Sequence, residues 1–386
     1  MLLDSLMVLT FLVLNESLDI DISQPGGGML YGEEYVMKKL SIIILSVICL
    51  VAGFTACTAG NTLPPPPSID RTPYDVDTSS ELILMLSESG QARLTNDITL
   101  DALPLDADSP AETTIDLNGN ELTFATEDTM VIPEGKSLKI ENGDIITTFS
   151  SPDLVQVVFR VGKDSKLEFD GVNYKAASSG ILPSDNAEVV INDSVLEIAG
   201  AWGISTNAGN PEGYSVSIRI TDSEISETTR TGTAVMLNTP TDLWIENSTI
   251  TGGRQGVILR GGNGTFINSR IISRGEFDTG DQYYLDGTWA TGNRVPMAAL
   301  TVGNTSTDAY KYSTVCTIDD ATELVMTDSG EYEDGRAFEI YVGSLATDSE
   351  LTVTLSVPSD IEQYIKGNNS CWCGANITLN EEKLTK

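Results

Sequence analysis

Short stretches of alternating apolar and polar residues recur through the middle of the chain. In each, an apolar residue is followed by Asn or Asp with Gly or Ser, and then by a second apolar residue five positions after the first. Seven segments share this pattern, beginning at Leu117, Ile140, Phe169, Ile191, Ile220, Ile245 and Phe266. In six of them the residue two positions earlier is also apolar, and Gly264 is the exception.

This pattern predicts pairs of short strands joined by a tight bend. Alternation places residues such as Val189 and Ile191 on one face of a strand. Asn, Asp and Gly tolerate left-handed backbone, and Asx side chains bond to local amides. The first residues of successive segments lie 21 to 29 positions apart, and one solenoid coil takes roughly 20–30 residues. An antiparallel β-sandwich also uses short strands, but it does not explain why the bend recurs at the same distance after the first apolar residue of each segment.

Further apolar runs fit the remaining strands of such coils. Residues 180–182, 234–237 and 256–259 are predicted to be the third strand of three coils. Later coils are predicted at residues 299–302, 315–318, 338–342, 351–355 and 376–379. Residues 80–90 are predicted to form a capping helix that begins at Ser79 or Ser80 and ends at Gly90.

The repeat resembles the right-handed parallel β-helix (pectate lyase-like) superfamily over about residues 90–355. Residues 115–120, Ile-Asp-Leu-Asn-Gly-Asn, resemble the first complete coil of such proteins. The resemblance implies an all-β, right-handed parallel β-helix with a short N-terminal capping helix. A solenoid needs such a cap because its terminal coil would otherwise expose apolar side chains and unpaired strand edges.

An export signal precedes the repeat. Met37 and two lysines are followed by an uncharged apolar run over residues 40–53, and then by Phe54, Thr55, Ala56 and Cys57. The last four residues resemble a bacterial lipobox, although Phe54 stands where Leu is usual, and this predicts lipid on Cys57. An ordinary signal peptide or an N-terminal membrane anchor is the alternative.

These features divide the chain into five parts. They are a non-native N-terminal extension (1–36), a lipoprotein signal peptide (37–56), a Pro-rich linker (57–78), the β-helix (79–356) and a C-terminal coil and tail (357–386). We therefore expect a protein of the cell envelope, attached to the membrane by a lipid anchor and exposed to the exterior or the periplasm.

Composition excludes several classes of function. The formal net charge is −34, which disfavours nucleic acid as a partner. The chain has no histidine, so Ser-His-Asp, Cys-His and His-ligated zinc chemistry are excluded.

The catalytic motifs of pectate lyases and polygalacturonases are incomplete in this sequence. Arg294 and Pro296 match the first half of the pectate lyase motif Arg-x-Pro-x-x-Arg, but Ala299 stands at its second arginine. Polygalacturonases combine clustered aspartates with a Gly-His-Gly motif, which a chain without histidine cannot supply. Asp319-Asp320 is therefore interpreted as a bend of the repeat. The sequence favours a non-catalytic glycan- or matrix-binding or adhesion module. A polysaccharide lyase or glycoside hydrolase is the alternative.

Two insertions in the repeat supply candidate glycan-binding residues, because aromatic faces stack on sugars and carboxylates bond hydroxyls or hold Ca²⁺. The candidates are Trp202, Tyr214, Asp278, Asp281, Tyr283, Tyr284, Asp286, Trp289 and Arg294. Alternatively, Tyr284 and Trp289 pack the long loop onto the solenoid. Ca²⁺ is the only cofactor indicated, and a polysaccharide or host glycan is the expected ligand.

Three cysteines remain after Cys57. Cys316 is predicted either to form a disulfide with Cys371 or Cys373, or to remain, like them, a thiol.

Overall fold

The computed structural model describes residues 73–126, 128–148, 157–206, 215–230, 232–275, 297–304, 312–327, 337–344 and 351–385. The chain divides into two units, residues 1–70 and 71–386, and all described residues belong to the second. This unit is a parallel β-solenoid of about nine turns. The predicted fold class, a parallel β-helix with a short helix near its N-terminal end, is confirmed.

Most coils contribute strands to two sheets. The first sheet has 20 strands and the second has nine. Every described pairing is parallel except the last, β28 (Ile377–Leu379) with β29 (Glu382–Lys383). The bounds of the strands before the bend are β1 (Tyr74–Val76), β2 (Gln91–Leu94), β4 (Glu112–Asp116), β11 (Glu188–Asn192), β14 (Val216–Thr221), β17 (Thr241–Glu246), β20 (Gly262–Ile267), β23 (Thr314–Ile318), β26 (Val353–Ser356) and β28 (Ile377–Leu379).

The strands after the bend belong to the same first sheet. They are β3 (Ile98–Leu100), β5 (Glu121–Phe124), β12 (Val195–Ile198), β15 (Glu224–Glu227), β18 (Thr249–Gly252), β21 (Arg270–Ser273) and β24 (Glu323–Met326). Two long strands, β7 (Ser137–Thr147) and β9 (Lys166–Ala176), run through the bend, and β29 (Glu382–Lys383) closes the sheet.

The second sheet collects the third strand of each coil. Its members are β6 (Met130–Ile132), β8 (Val157–Val161), β10 (Ser179–Pro183), β13 (Trp202–Thr206), β16 (Thr233–Leu237), β19 (Gln255–Leu259), β22 (Met297–Asn304), β25 (Ala337–Ser344) and β27 (Trp372–Gly374). All of the predicted third strands, and the predicted later coils, fall on strands of one or the other sheet.

The bend inside the first sheet has the predicted left-handed residue. Its φ angle is positive at Asn142, Asp193, Asp222, Asn247 and Asn268, with values between 44° and 61°. Side-chain amides also link neighbouring bends, as where Asn268 Nδ2 donates to Asn247 Oδ1 over 2.9 Å. The Asx residues therefore shape each bend and connect it to the next.

A second ladder lies just after the left-handed residue and is buried. The backbone N–H of Ser194 donates to Ser223 Oγ, that of Ser223 to Ser248 Oγ, and that of Ser248 to Ser269 Oγ, each over 3.1 Å. The N–H of Ser269 donates to Thr322 Oγ1 over 3.3 Å. An unpaired buried N–H is costly, so the hydroxyls explain why Ser follows Asx in these coils.

One coil differs from the predicted alignment. Ile115, and not Leu117, is in register with Ile140, because consecutive left-handed residues at Asn118 and Gly119 (φ 52° and 81°) lengthen the first bend. In the third coil the alignment is as predicted, and Gly171 (φ 65°) of the predicted Asp170-Gly171 bend is the left-handed residue. Glycine adopts this backbone without a steric penalty.

Side chains that point inward form a continuous apolar core. Ile191, Ile220 and Ile245 are in register and fully buried. Near the N-terminal coils, Phe159 packs edge-on against Phe124, Phe169 and Tyr174, with ring centroids 5.7–5.9 Å apart. Each coil thus completes its apolar core by stacking on its neighbours.

A helix covers each end region. α1 (Ser79–Glu88) begins after Thr78, whose Oγ1 accepts from Glu81 N, and it buries Leu82 and Leu86. Gly90 follows with φ 69°, so the predicted helix is confirmed. The C-terminal helix α2 (Ser359–Gly367) was not predicted. Its signals are Pro358, acidic residues in the first turn, and Ile361 and Ile365 one helical turn apart.

We predict that Ile220→Asp destabilises the solenoid by more than the ~2–5 kcal/mol typical of truncating a buried Ile to Ala, because a carboxyl group would face a dry stack. Urea unfolding followed by circular dichroism measures the loss.

The matched control is Val315→Asp, which makes a similar change at an outward position that is 44% exposed. We expect it to cost less than about 1 kcal/mol. Equal losses in the two variants would contradict the inward position of Ile220.

Candidate functional site

A shallow groove of about 380 Å³ lies on the outer face of the first sheet, after the bend. Two columns of outward residues line it, and each column runs across four successive strands, with one position on each strand. The first column is Glu121, Asp144, Asn173 and Val195, and the second includes Ile146, Lys175 and Glu197. Its volume falls in the range of ligand clefts, roughly 300–1,000 Å³.

The polar side chains of the groove hold one another in place. Asn173 Nδ2 donates to Asp144 Oδ1 over 2.8 Å, and Thr123 Oγ1 donates to Glu121 Oε1 over 2.6 Å. Lys175 Nζ lies 3.6 Å from Glu197 Oε2. Both partners of this pair are more than half exposed, so it is screened and adds little stability.

The composition of the groove favours a neutral, hydroxyl-rich ligand. Three carboxylates, one amide and one ammonium group can accept from and donate to hydroxyl groups. Ile146 and Val195 add apolar surface, and Val195 is 39% exposed. The charges of these groups sum to −2, which repels an anionic ligand.

The groove residues were not among the candidates that the sequence suggested. Glu121, Asp144 and Asn173 each directly precede an inward residue of the repeat, so alternation alone makes them outward. Aligning the coils would have shown polar residues stacked at this position. They lie on regular strands, whereas the candidates from the sequence lie in insertions between strands.

Trp202 is the one predicted glycan-binding residue that the structure describes. It is half-buried on β13 and packs against Met236 and Ile258. Its Nε1 is buried and has no hydrogen-bond partner among the described residues. These contacts place its ring against the second sheet, separate from the groove.

The other predicted site residues lie outside the described residues. They are Cys57, Tyr214, Asp278, Asp281, Tyr283, Tyr284, Asp286, Trp289 and Arg294. Their proposed roles stay predictions.

Asp319 lies in a bend, in agreement with the prediction that Asp319-Asp320 forms a bend of the repeat. Its carboxylate accepts from Asn268 N over 3.0 and 3.1 Å and from Thr322 Oγ1 over 2.7 Å. Partial burial acts to raise the pKa of Asp319, but these hydrogen bonds outweigh it and hold the pKa below its ordinary value. The group is therefore a charged acceptor that closes the bend.

In the described part of the chain, no disulfide joins Cys316, Cys371 and Cys373. Cys316 and Cys371 are buried, and Cys373 is half-buried and accepts a hydrogen bond from Tyr341 Oη over 3.3 Å. Burial raises the pKa of the Cys316 thiol to about 12, so it is not a nucleophile at neutral pH.

A buried carboxyl group occupies the corner between β15 and β16. Glu227 is fully buried, with its carboxylate oxygens 2.6 Å from Thr229 N and 3.4 Å from Gly253 N. Gly232 packs directly on it, since a Cβ there would lie 1.9 Å from the carboxyl carbon. Arg274 donates to the carbonyl oxygens of Glu227 and Thr229, each over 2.8 Å.

Burial raises the pKa of Glu227 to about 7, although the hydrogen bonds from Thr229 and Gly253 and the charge of Arg274 act to lower it. A carboxyl group with such a pKa could serve as a general acid. Here the backbone encloses the carboxyl group, so Glu227 stabilises one corner of the solenoid through its hydrogen bonds and does not reach the groove.

Within the described ranges, no three carboxylate or thiol side chains come together to hold a metal ion. Neither described helix has the length and apolar content needed to cross a bilayer.

Comparison with known proteins does not assign the chain to a family. No protein-family model matches the chain, and no curated protein matches it.

We predict that Glu227 makes stability depend on pH between about 4.5 and 7. Its folded pKa of about 7 lies above the ordinary value of 4.5, so in this window the folded state binds more protons than the unfolded state. Stability is therefore highest below this window and falls as pH rises through it. Glu227→Gln should remove this dependence, which amounts to at most about 3 kcal/mol.

Urea unfolding of both proteins at several pH values from 5 to 8 tests this, with Glu224→Gln as the control at the exposed start of the same strand. Parallel stability profiles for the wild type and Glu227→Gln would contradict the assignment.

Proposed function

We propose that this protein is an exported, surface-anchored β-helix that binds a neutral extracellular glycan without cleaving it. The observation that carries the proposal is the groove of carboxylate, amide and ammonium groups on the outer face of the first sheet. A regular sheet holds these groups at fixed spacing, and side chains fixed on rigid strands make a more defined site than side chains on loops.

The chemistry of the groove supports a sugar ligand over an apolar molecule. Hydroxyl groups of a pyranose can donate to Asp144 and Glu121 and accept from Asn173 and Lys175. The carbon face of the ring can contact Ile146 and Val195. Successive coils are about 4.8 Å apart, so the lining residues repeat along the direction that a linear polysaccharide would follow.

A binding role fits better than catalysis. Hydrolysis of a glycosidic bond by most glycoside hydrolases needs a carboxylic acid that is neutral near the working pH and touches the substrate. Glu227 has such a pKa but is enclosed by backbone at another part of the fold. The pectate lyase-like motif also lacks its second arginine, because Ala299 stands at that position. Ala299 is a buried residue of β22.

Anchoring and family remain proposals from the sequence. The basic start, apolar run and Cys57 support a lipid anchor in the cell envelope. The bends with left-handed Asx residues and the helix ahead of the solenoid support placement among the pectate lyase-like β-helices. Calcium would bind Asp278, Asp281 and Asp286 of the long insertion.

We predict that the purified protein binds at least one neutral polysaccharide and that Asp144→Ala weakens this binding about tenfold or more. A hydrogen bond to a charged group contributes about 1.5–3 kcal/mol, and a factor of ten corresponds to ~1.4 kcal/mol. Titration calorimetry with neutral and acidic polysaccharides, with and without calcium, gives the affinities.

Glu323→Ala is the matched control, because it removes an exposed carboxylate from the same outer face, four strands beyond Val195. It should leave the affinity unchanged. New reducing ends or unsaturated products formed at catalytic rates would instead show the lyase or hydrolase alternative.

We also predict that Cys57 carries lipid. The native protein should begin at Cys57 with attached acyl chains, as mass spectrometry can show, and should partition into detergent. Cys57→Ser should abolish this partitioning, whereas the control Cys373→Ser should retain it. Recovery of residues 1–36 in the mature protein is the result that would refute the assignment.

A further inference from the structure

A second outward-facing cluster lies on the first sheet before the bend. Trp244 of β17 alternates with the buried Leu243 and Ile245, so its indole stands on the outer face, where it is half-buried. Its Nε1 donates to Glu246 Oε2 over 3.0 Å. The guanidinium carbon of Arg219 lies 5.3 Å from the centre of the ring, and Arg219 Nη2 lies 3.5 Å from the same Glu246 oxygen.

These contacts fix the indole in place without a ligand. Arg219 holds the ring through a cation–π contact and Glu246 fixes its polar edge, so little side-chain freedom remains to be lost on binding. We call Arg219, Trp244 and Glu246 the tryptophan platform.

The platform has long side chains on one flank and short ones on the other. In register with Trp244 are Arg219 on the preceding strand and Thr265 on the following strand, with Thr317 one strand further. In the neighbouring outward column, Asp242 and Asn263 are exposed. Hydroxyl, carboxylate and amide groups therefore border the indole on the side where the side chains are short.

Charge restricts what this surface can bind. Arg219 is paired with Glu246, and Asp242 adds a further negative charge close by. An anionic ligand would be repelled by these two carboxylates, and a cationic ligand would meet Arg219 at the ring. A neutral pyranose has a C–H face for the indole and hydroxyl groups for the surrounding polar side chains.

We propose that the tryptophan platform is a second binding site, on which a pyranose ring of an uncharged glycan stacks against Trp244. The inference rests on the proposed glycan-binding function and adds a site separate from the groove. The platform lies before the bend on β14 and β17, whereas the groove lies after the bend on β5, β7, β9 and β12.

Titration calorimetry on the purified full chain in mild detergent tests the proposal. The probes are the neutral hexasaccharides of cellulose, xylan and mannan, and hexagalacturonate as the acidic counterpart. Because the groove is a separate site, Trp244→Ala should leave one of the two binding events of the preferred neutral hexasaccharide in place and weaken the other about tenfold or more. Trp244→Phe should recover most of the lost affinity, because it restores an aromatic face. Thermal unfolding of each variant should give a midpoint close to that of the wild type.

Val190→Ala is the matched control, since Val190 occupies the same outward column on the other side of Arg219. It should leave the Kd unchanged. If Asp144→Ala weakens binding but Trp244→Ala does not, the platform is refuted while the groove stands. Tighter binding of hexagalacturonate than of every neutral probe would overturn the neutral class. Failure of the wild type to bind any probe would overturn both the platform and the proposed function.

Discussion

The left-handed bend between the two strands of the first sheet is the constraint on which the rest of the structure depends. At Asp193, Asp222 and Asn247 the chain turns within one residue of positive φ, and the following Ser is fixed by a hydroxyl ladder to the next coil. A shift of one residue would break this ladder and turn every inward side chain outward. The bend therefore sets the register of both strands and, through them, of the whole coil.

Identical register in successive coils has opposite effects on the two faces of a sheet. Inside, most positions are apolar because each stacks on the same position of its neighbours, as Ile191, Ile220 and Ile245 do. Outside, the sequence is free to vary, and the fold only fixes the spacing of the side chains. Both candidate binding surfaces consist of such outward columns, so their chemistry is independent of the core.

The corner at Glu227 shows why an unusual pKa need not mark a functional site. The carboxyl group lies where the chain passes from the first sheet to the second, and there it accepts from the backbone of two successive coils. Burial accounts for its raised pKa, and the close fit of Gly232 leaves no room for a ligand. The side chains in the two columns of the groove lie on the outer face of the first sheet, and none of them is enclosed as Glu227 is.

The sequence by itself determined the β-helix, the helix ahead of it and the chemistry of the bends, because these depend on local alternation and on residues that tolerate positive φ. It misplaced the register of the first coil, since two extra residues at Asn118 and Gly119 keep the local pattern intact, and only pairing with Ile140 reveals the shift. It also overlooked α2. Alternation makes the residues of the groove and the tryptophan platform outward, but the tertiary structure brings them together. Asp144 and Asn173, or Arg219 and Trp244, lie 25 or more residues apart and become neighbours only when the coils stack in parallel.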